Sequence, residues 1–343
     1  MVPTAPPAPA AGKVAFAGMN IAGFDFGIDT MGNANLASIY DVASKGSGIM
    51  QMAHFVKDDG LNAFRLPVSW QYLVNNNLGG PLNPTNFAAY DKLVQGCKAS
   101  GAKMCIVDIH NYARYNGKVI AQEAGGPTNE QYTSLLSQLA MKYKGNMQVA
   151  FDIMNEPHDL PNFQTWVGTC QAAVTAIRNA GAKNVILLPG TDYASATTFA
   201  MKSGPALLSV KNPDGSADGL IFNVHQYLDW NSSGQNVQCV KNNIDLAFAP
   251  LAAFLRQNRR QAMVTETGGS ADPSCLALLC QQNDFINQNS DVIIGVVSWA
   301  AGGFDQSYVL TETPIGNPDG SWTDQPIVQQ CIVQRFRGVT GQP

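Results

Sequence analysis

Short apolar runs alternate along the chain with stretches of helical periodicity. Eight runs read as strands: 15–20, 63–68, 104–110, 149–156, 185–189, 220–227, 262–266 and 293–299. Most are apolar on both faces, the pattern of strands in a parallel sheet covered on both sides. Between them, Ile49, Met52, Ala53 and Val56 fall on one helical face, as do Tyr132, Leu135, Leu136, Leu139 and Tyr143. Trp166, Cys170, Ala173, Val174 and Ile177 form a third stripe. Asn83 before Pro84 reads as an N-cap followed by proline in the first turn. Gly60, Gly101, Gly145 and Gly181 stand where helices are expected to stop.

Repeated strand–helix units without an internal linker predict an α/β protein of the (β/α)8 TIM-barrel class. A doubly wound open sheet is the rival, but Asn20 is followed by IAGFDFG rather than a phosphate-binding G-x-G-x-x-G turn. Helix-to-strand connections are short, as at 60–62 and 101–103, whereas strand-to-helix connections at 21–47, 111–128, 228–244 and 300–323 are long. The chain has 343 residues, and a barrel needs about 250. The surplus therefore gathers at the C-terminal ends of the strands, where such barrels carry their sites. One catalytic-type domain is expected over residues 13–343, preceded by a Pro/Ala-rich, linker-like segment at 1–12 that has no apolar stretch of a signal peptide.

Composition narrows the partners. Charged residues make up 13% of the chain and apolar ones 45%, against about 25% charged in an ordinary soluble domain. Such a chain builds a core and is not a disordered one. Net charge is −4 without a Lys/Arg cluster, which argues against nucleic acid, and no apolar run reaches the about 18 residues of a membrane span. The low charge suits a neutral polar partner. Seven cysteines, with no paired C-x-x-C knuckles, leave two readings: buried thiols in a reducing compartment, or disulfides with one thiol left over in an oxidising one.

Candidate chemistry sits at the predicted strand ends: Arg65-Leu66-Pro67, Asp108-Ile109-His110-Asn111, Asn155-Glu156-Pro157, His225-Gln226-Tyr227, Glu266-Thr267-Gly268 and Ser298-Trp299. Arg65, His110, His225 and Trp299 each have an ordinary structural explanation. A carboxylate closing an apolar strand is harder to explain that way, because its burial is costly without partners. Glu156 and Glu266 close the fourth and seventh strands, which face each other in a barrel of eight. Two carboxyl groups across a cleft, one protonated and one ionised, are the equipment for cutting a glycosidic bond.

On these segments the chain resembles glycoside hydrolase family 5, in particular fungal endo-β-1,4-glucanases (cellulases) of the endoglucanase II type. The resemblance runs from about Val14 to about Val333 and is carried by GMNIAGFDFG from Gly18, FRLPVSWQYLVNNNLGG from Phe64 and VDIHNYARYNG from Val107. IMNEPHD from Ile153, FNVHQYLD from Phe222, LRQNRRQAMVTETGG from Leu255 and SYVLTETP from Ser307 complete it. It implies a secreted endo-acting hydrolase of β-1,4-glucans working by retaining double displacement. Glu156 would be the acid/base and Glu266 the nucleophile. Arg65 and Tyr227 would hold Glu266, Asn155 would bond the sugar 2-hydroxyl, His110 and His225 would line the subsite, and Trp299 would be a sugar platform preceding a cis peptide. It further implies disulfides Cys97–Cys105, Cys239–Cys275 and Cys280–Cys331 with Cys170 a free thiol, no cofactor or metal, and a monomer whose partner is the polysaccharide.

Tyr112, Tyr115, Trp70, Tyr193 and Trp230 fall in or near the long loops and are candidates for stacking on sugar rings. Mannan, xyloglucan and mixed-linkage glucan are alternative substrates for the same mechanism. A non-catalytic carbohydrate-binding barrel is the alternative of a different class.

Overall fold

The computed structural model describes residues 12–341, so nearly all of the expected linker at 1–12 lies outside the described residues. Eight parallel strands close into a barrel: β1 (Phe16–Ala22), β2 (Ala63–Val68), β3 (Met104–Ile109), β4 (Val149–Asp152), β5 (Ile186–Pro189), β6 (Leu220–His225), β7 (Ala262–Glu266) and β8 (Ile293–Gly302). They pair in chain order, with β1 closing onto β8. The outer ring includes α1 (Gly48–Lys57), α2 (Pro84–Ala99), α3 (Asn129–Tyr143), α4 (Phe163–Asn179), α5 (Ala249–Asn258) and α6 (Pro273–Gln288). The strand-to-helix loops carry extra pieces, among them the hairpins Arg114–Tyr115/Lys118–Val119 and Ile315–Gly316/Trp322–Thr323.

Local chemistry sets these elements. The Asn83 side chain accepts from Asn86 N at 3.0 Å, with Pro84 in the first turn of α2. Thr128 and Gln131 form a reciprocal capping box at the start of α3. After α2 the chain reverses at Gly101 with φ of +93°, a conformation that glycine adopts without steric cost. Gly18 lies so close to β2 that a Cβ would stand 1.6 Å from Ala63 O, so only glycine allows β1 and β2 to approach this closely.

The strands alternate between two cores. Phe64, Leu66, Cys105, Val107, Phe151, Phe222 and Val264 point outward to the helices. Ala63, Met104, Ile106, Ala150, Leu187, Ile221, Met263 and Ile294 point inward and plug the lower barrel. Several strand ends differ from expectation. β4 stops at Asp152 rather than 156, β6 at His225 rather than 227, and β3 at Ile109 rather than 110, while β8 runs on to Gly302. Glu156 therefore belongs to the loop after β4, with φ of +40°. The Trp299–Ala300 peptide is cis.

Disulfides join Cys97 to Cys105, Cys239 to Cys275 and Cys280 to Cys331. Cys170 is a buried thiol in α4. Among the described residues no helix is long and apolar enough to cross a membrane.

Candidate active site

Arg65, Asp108, Asp152, Asn223 and Thr265 lie two residues beyond Ala63, Ile106, Ala150, Ile221 and Met263 of the apolar plug. The strand period of two keeps them on the inward face, so the barrel interior turns from apolar to polar within one step. All five are buried.

Arg65 is the hub. A buried guanidinium is tolerated only when paired and hydrogen-bonded, and here each of its five N–H groups has a partner. Nε donates to Asp152 Oδ2 at 2.9 Å, and Nη1 donates to Glu266 Oε1 at 2.6 Å and Asn20 Oδ1 at 3.1 Å. Nη2 donates to Asn155 Oδ1 at 2.7 Å and lies 3.1 Å from Asp108 Oδ2. Burial lifts Asp108 and Asp152 to about 7, against the pull of Arg65.

Glu266 reaches the same interior through a bulge. Val224 pairs with Val264, but His225 pairs with Glu266, so Thr265 is an extra residue on β7. A bulge breaks the alternation, and the two consecutive side chains Thr265 and Glu266 both face inward. Glu266 Oε2 accepts from Tyr227 OH at 2.9 Å, complementing Arg65 on Oε1. Burial raises the Glu266 pKa, and Arg65 is the largest influence opposing that rise, with the Tyr227 hydroxyl acting in the same sense.

The proton on Glu156 follows from a chain of hydrogen bonds. Asn223 Nδ2 donates to Asp152 Oδ2 at 2.9 Å, which turns its Oδ1 toward Thr265. The Thr265 hydroxyl donates to that oxygen, so Thr265 Oγ1 accepts from His225 Nε2, 2.9 Å away. His225 then carries a proton on Nε2, and burial, which disfavours a second one, leaves Nδ1 as a lone pair. Glu156 Oε1 lies 2.8 Å from Nδ1, a contact that requires the carboxyl group to be protonated. The shifts agree: burial, with the charge of Glu266 second, holds Glu156 well above the usual glutamate value. Burial pushes His225 well below the usual histidine value. The Glu156 side chain is 15% exposed and that of Glu266 5%, so the protonated group is the one nearer the opening.

The opposite wall is fixed in the same way. His110 Nδ1 lies 2.7 Å from Asp108 Oδ2 and its Nε2 lies 3.3 Å from Asn155 Nδ2. With Asn155 Oδ1 committed to Arg65, its amide donates to His110 Nε2. The ring is thus neutral, and burial pushes it down to about 4. His110 stacks on Trp299 at 5.5 Å and 17°, and Trp299 Nε1 donates to Tyr308 OH at 3.0 Å.

These groups open into a cleft of about 690 Å³ whose lining includes Glu156, Glu266, Tyr112, Tyr193, Trp299 and Tyr308. Oxygens of Glu156 and Glu266 and the His225 nitrogen lie within 4.8 Å of one another. An approach this close between one oxygen of each carboxyl group suits the close pair of retaining glycosidases, about 5–5.5 Å apart, better than the wider pair of inverting ones. All eight candidates from the strand ends therefore meet at one place. The aromatic candidates divide: Tyr112 and Tyr193 line the cleft, with Tyr193 stacked on His158 at 4.1 Å. Trp70 and Tyr115 instead pack against each other at 5.0 Å in the core, and Trp230 is 70% exposed outside the cleft lining. Asp152, Asn223 and Thr265 were missed by sequence reasoning. Their signal is a polar residue inside a short apolar run.

Comparison with known proteins gives one answer at three levels. The family model described as cellulase (glycosyl hydrolase family 5) matches residues 19–304. Endoglucanase EG-II of Hypocrea jecorina is 56% identical over 331 residues, 94% of this chain and 78% of the relative. The manganese dependent endoglucanase Eg5A of Phanerodontia chrysosporium is 42% identical over 327 residues, 95% of this chain and 81% of the relative. The crystal structure of Cel5A (EG2) from Hypocrea jecorina superposes with a TM-score of 0.90 at 55% identity, covering 93% of this chain and 98% of that one. Barrel, carboxyl pair and matched span together place this chain in the glycosyl hydrolase family 5 cellulases.

Proposed function

We propose that the protein is an endo-acting β-1,4-glucanase that hydrolyses cellulose and related β-glucans with retention of configuration. The observation that carries this reading is the pair of carboxyl groups flanking His225, one held ionised by Arg65 and Tyr227 and the other protonated. The endoglucanase relatives support the substrate class. The aromatic lining of the cleft supports it independently, since ring faces suit the apolar faces of sugars.

Glu266 attacks the anomeric carbon while Glu156 passes its proton to the leaving oxygen, giving a glycosyl ester on Glu266. The ester is uncharged, so the like charge that helped raise the Glu156 pKa is gone. Glu156, now a carboxylate, takes a proton from water as the water attacks the anomeric carbon. The bond to Glu266 breaks and both groups return to their starting states. Asn155 bonds the 2-hydroxyl, His110 and His225 line the subsite, and Trp299 is the platform beneath the sugar. Every group in this sequence belongs to one chain, so a monomer suffices. Three disulfides support secretion into an oxidising compartment.

Proton NMR of products released from cello-oligosaccharides tests the reading. The β-anomer of the new reducing end is expected first. The α-anomer first, or release of only terminal sugars, overturns it. The relative named manganese dependent supplies a second comparison. Activity of this chain at 25 °C is expected to be unchanged by chelator, because proton donor and nucleophile are both protein carboxyl groups.

A further inference from the structure

A second convergence of metal-ligating side chains lies outside the cleft. His54 stands in the last turn of α1, Asp59 just beyond it, and Asp324 directly after the Trp322–Thr323 strand of the loop following β8. His54 Nε2 lies 2.9 Å from Asp324 Oδ1 and 3.3 Å from Asp59 Oδ2. One donor atom from each residue lies within 4.8 Å of the others. The three side chains are only 4–5% exposed.

Two details distinguish this group from an ordinary acidic cluster. Asp59 Oδ2 is buried, faces the imidazole nitrogen, and accepts no hydrogen bond. A buried carboxylate oxygen without a hydrogen bond is costly. His54 is also built as a ligand. Its Nδ1 lies 2.8 Å from Asp58 Oδ2, and its ring lies against Trp322 at 6.0 Å and 29°. A carboxylate on the second ring nitrogen is the usual partner of a metal-ligating histidine; here Nε2 hydrogen-bonds Asp324 Oδ1, and an ion takes the place of the proton between them. Asp324 is oriented too, its Oδ2 accepting from Gln329 Nε2 at 2.8 Å.

The spacing also fits. Metal–ligand bonds of about 2.0–2.2 Å in a tetrahedral site put neighbouring donor atoms about 3.3–3.6 Å apart. The 3.3 Å separation meets this, and the 2.9 Å separation needs only a small side-chain adjustment. One imidazole and two carboxylates select zinc or manganese rather than calcium, which takes six to eight oxygens.

We propose that His54 Nε2, Asp59 Oδ2 and Asp324 Oδ1 bind one divalent transition-metal ion, which fastens the end of the loop after β8 to α1. The ion is structural and takes no part in the displacement at Glu266.

Calorimetric titration of the chelator-treated full chain with zinc chloride and with manganese chloride tests this. At least one ion is expected to bind one per chain, with affinity reduced at least tenfold in Asp59→Asn and Asp324→Asn. Glu266→Gln is the control, because Glu156, His225 and Glu266 also present donor atoms within 4.8 Å. Binding in that variant is expected to match the parent. At a hundredfold excess over Kd the thermal midpoint is expected to rise by roughly 4 °C. Cobalt provides a readout that needs no ligand substitution: it is expected to quench tryptophan emission in the parent but not the remaining emission in Trp322→Phe. Absence of saturable binding by both ions overturns the proposal. So does binding that survives in Asp59→Asn and disappears in Glu266→Gln, or cobalt quenching that persists in Trp322→Phe.

Discussion

The lower and upper layers of the barrel interior are built on the same strands, two residues apart, and do opposite things. Below, Ala63, Ile106, Ala150, Ile221 and Met263 bury apolar surface, each bringing its part of about 25 cal/mol per Å². Above, Arg65, Asp108, Asp152, Asn223 and Thr265 bury charge and hydrogen-bonding groups that repay their desolvation only by satisfying one another. Stability and chemistry are thus stacked along one axis rather than spread over separate regions. The lower layer tolerates a change in shape at a cost in folding energy. The upper layer, being one connected network, passes any change to the carboxyl pair.

Paired substitutions on the two layers test this division. The largest effect is expected from Glu266→Ala, with a loss on the order of 10⁴-fold in kcat on a soluble β-glucan and little change in thermal midpoint. Near-parental activity removes the proposed nucleophile. Arg65→Met comes next: it leaves Asp108, Asp152 and Glu266 without their cation, so denaturant unfolding is expected to show a loss of about 3–5 kcal/mol together with a large fall in kcat. Met263→Ala, two residues from Thr265 in the lower layer, is expected to cost about 2–5 kcal/mol of stability with kcat unchanged at 25 °C. A comparable drop in kcat there breaks the comparison. The smallest effect sharpens it. Thr265→Val removes the acceptor that keeps the His225 proton on Nε2, so Glu156 loses its defined partner and kcat falls by about tenfold, roughly 1.4 kcal/mol.

The pH profile follows from the same network. The proposed mechanism needs Glu266 ionised and Glu156 protonated, so activity is expected to fall on the acid side as Glu266 gains a proton. It falls on the alkaline side as Glu156 loses one. Because the Glu156 pKa is raised, the alkaline limb lies above the ordinary glutamate range. Thr265→Val is expected to move that limb toward lower pH.

The barrel was legible because most strands are apolar on both faces and helical stripes of the right period lie between them. Boundaries were less so. Ile153 and Met154 continue the apolar run of β4, yet the chain leaves the sheet at Asp152 and turns through Glu156 at φ +40°. The two glutamates were legible from their positions beside apolar runs, and Arg65, His110, Asn155, His225, Tyr227 and Trp299 from the motifs around them. Asp152, Asn223 and Thr265 were not, because each is a single polar residue whose role depends on partners 40 to 90 positions away. Trp70 and Tyr115 misled for the converse reason. An aromatic residue in a loop segment reads the same whether it lines a cleft or, as here, packs beneath it.

The extra residue on β7 has a consequence for anyone transplanting the proposed catalytic pair. Glu266 is in phase with the cleft only because Thr265 shifts the strand by one position. A graft that copies Glu266 onto a regular strand, or an alignment that closes the one-residue offset as a gap, rotates the carboxylate out to the helical side. The transferable unit is therefore Thr265-Glu266 together with its unmatched position against β6, and a barrel designed to host the reaction has to carry that irregularity as part of its blueprint.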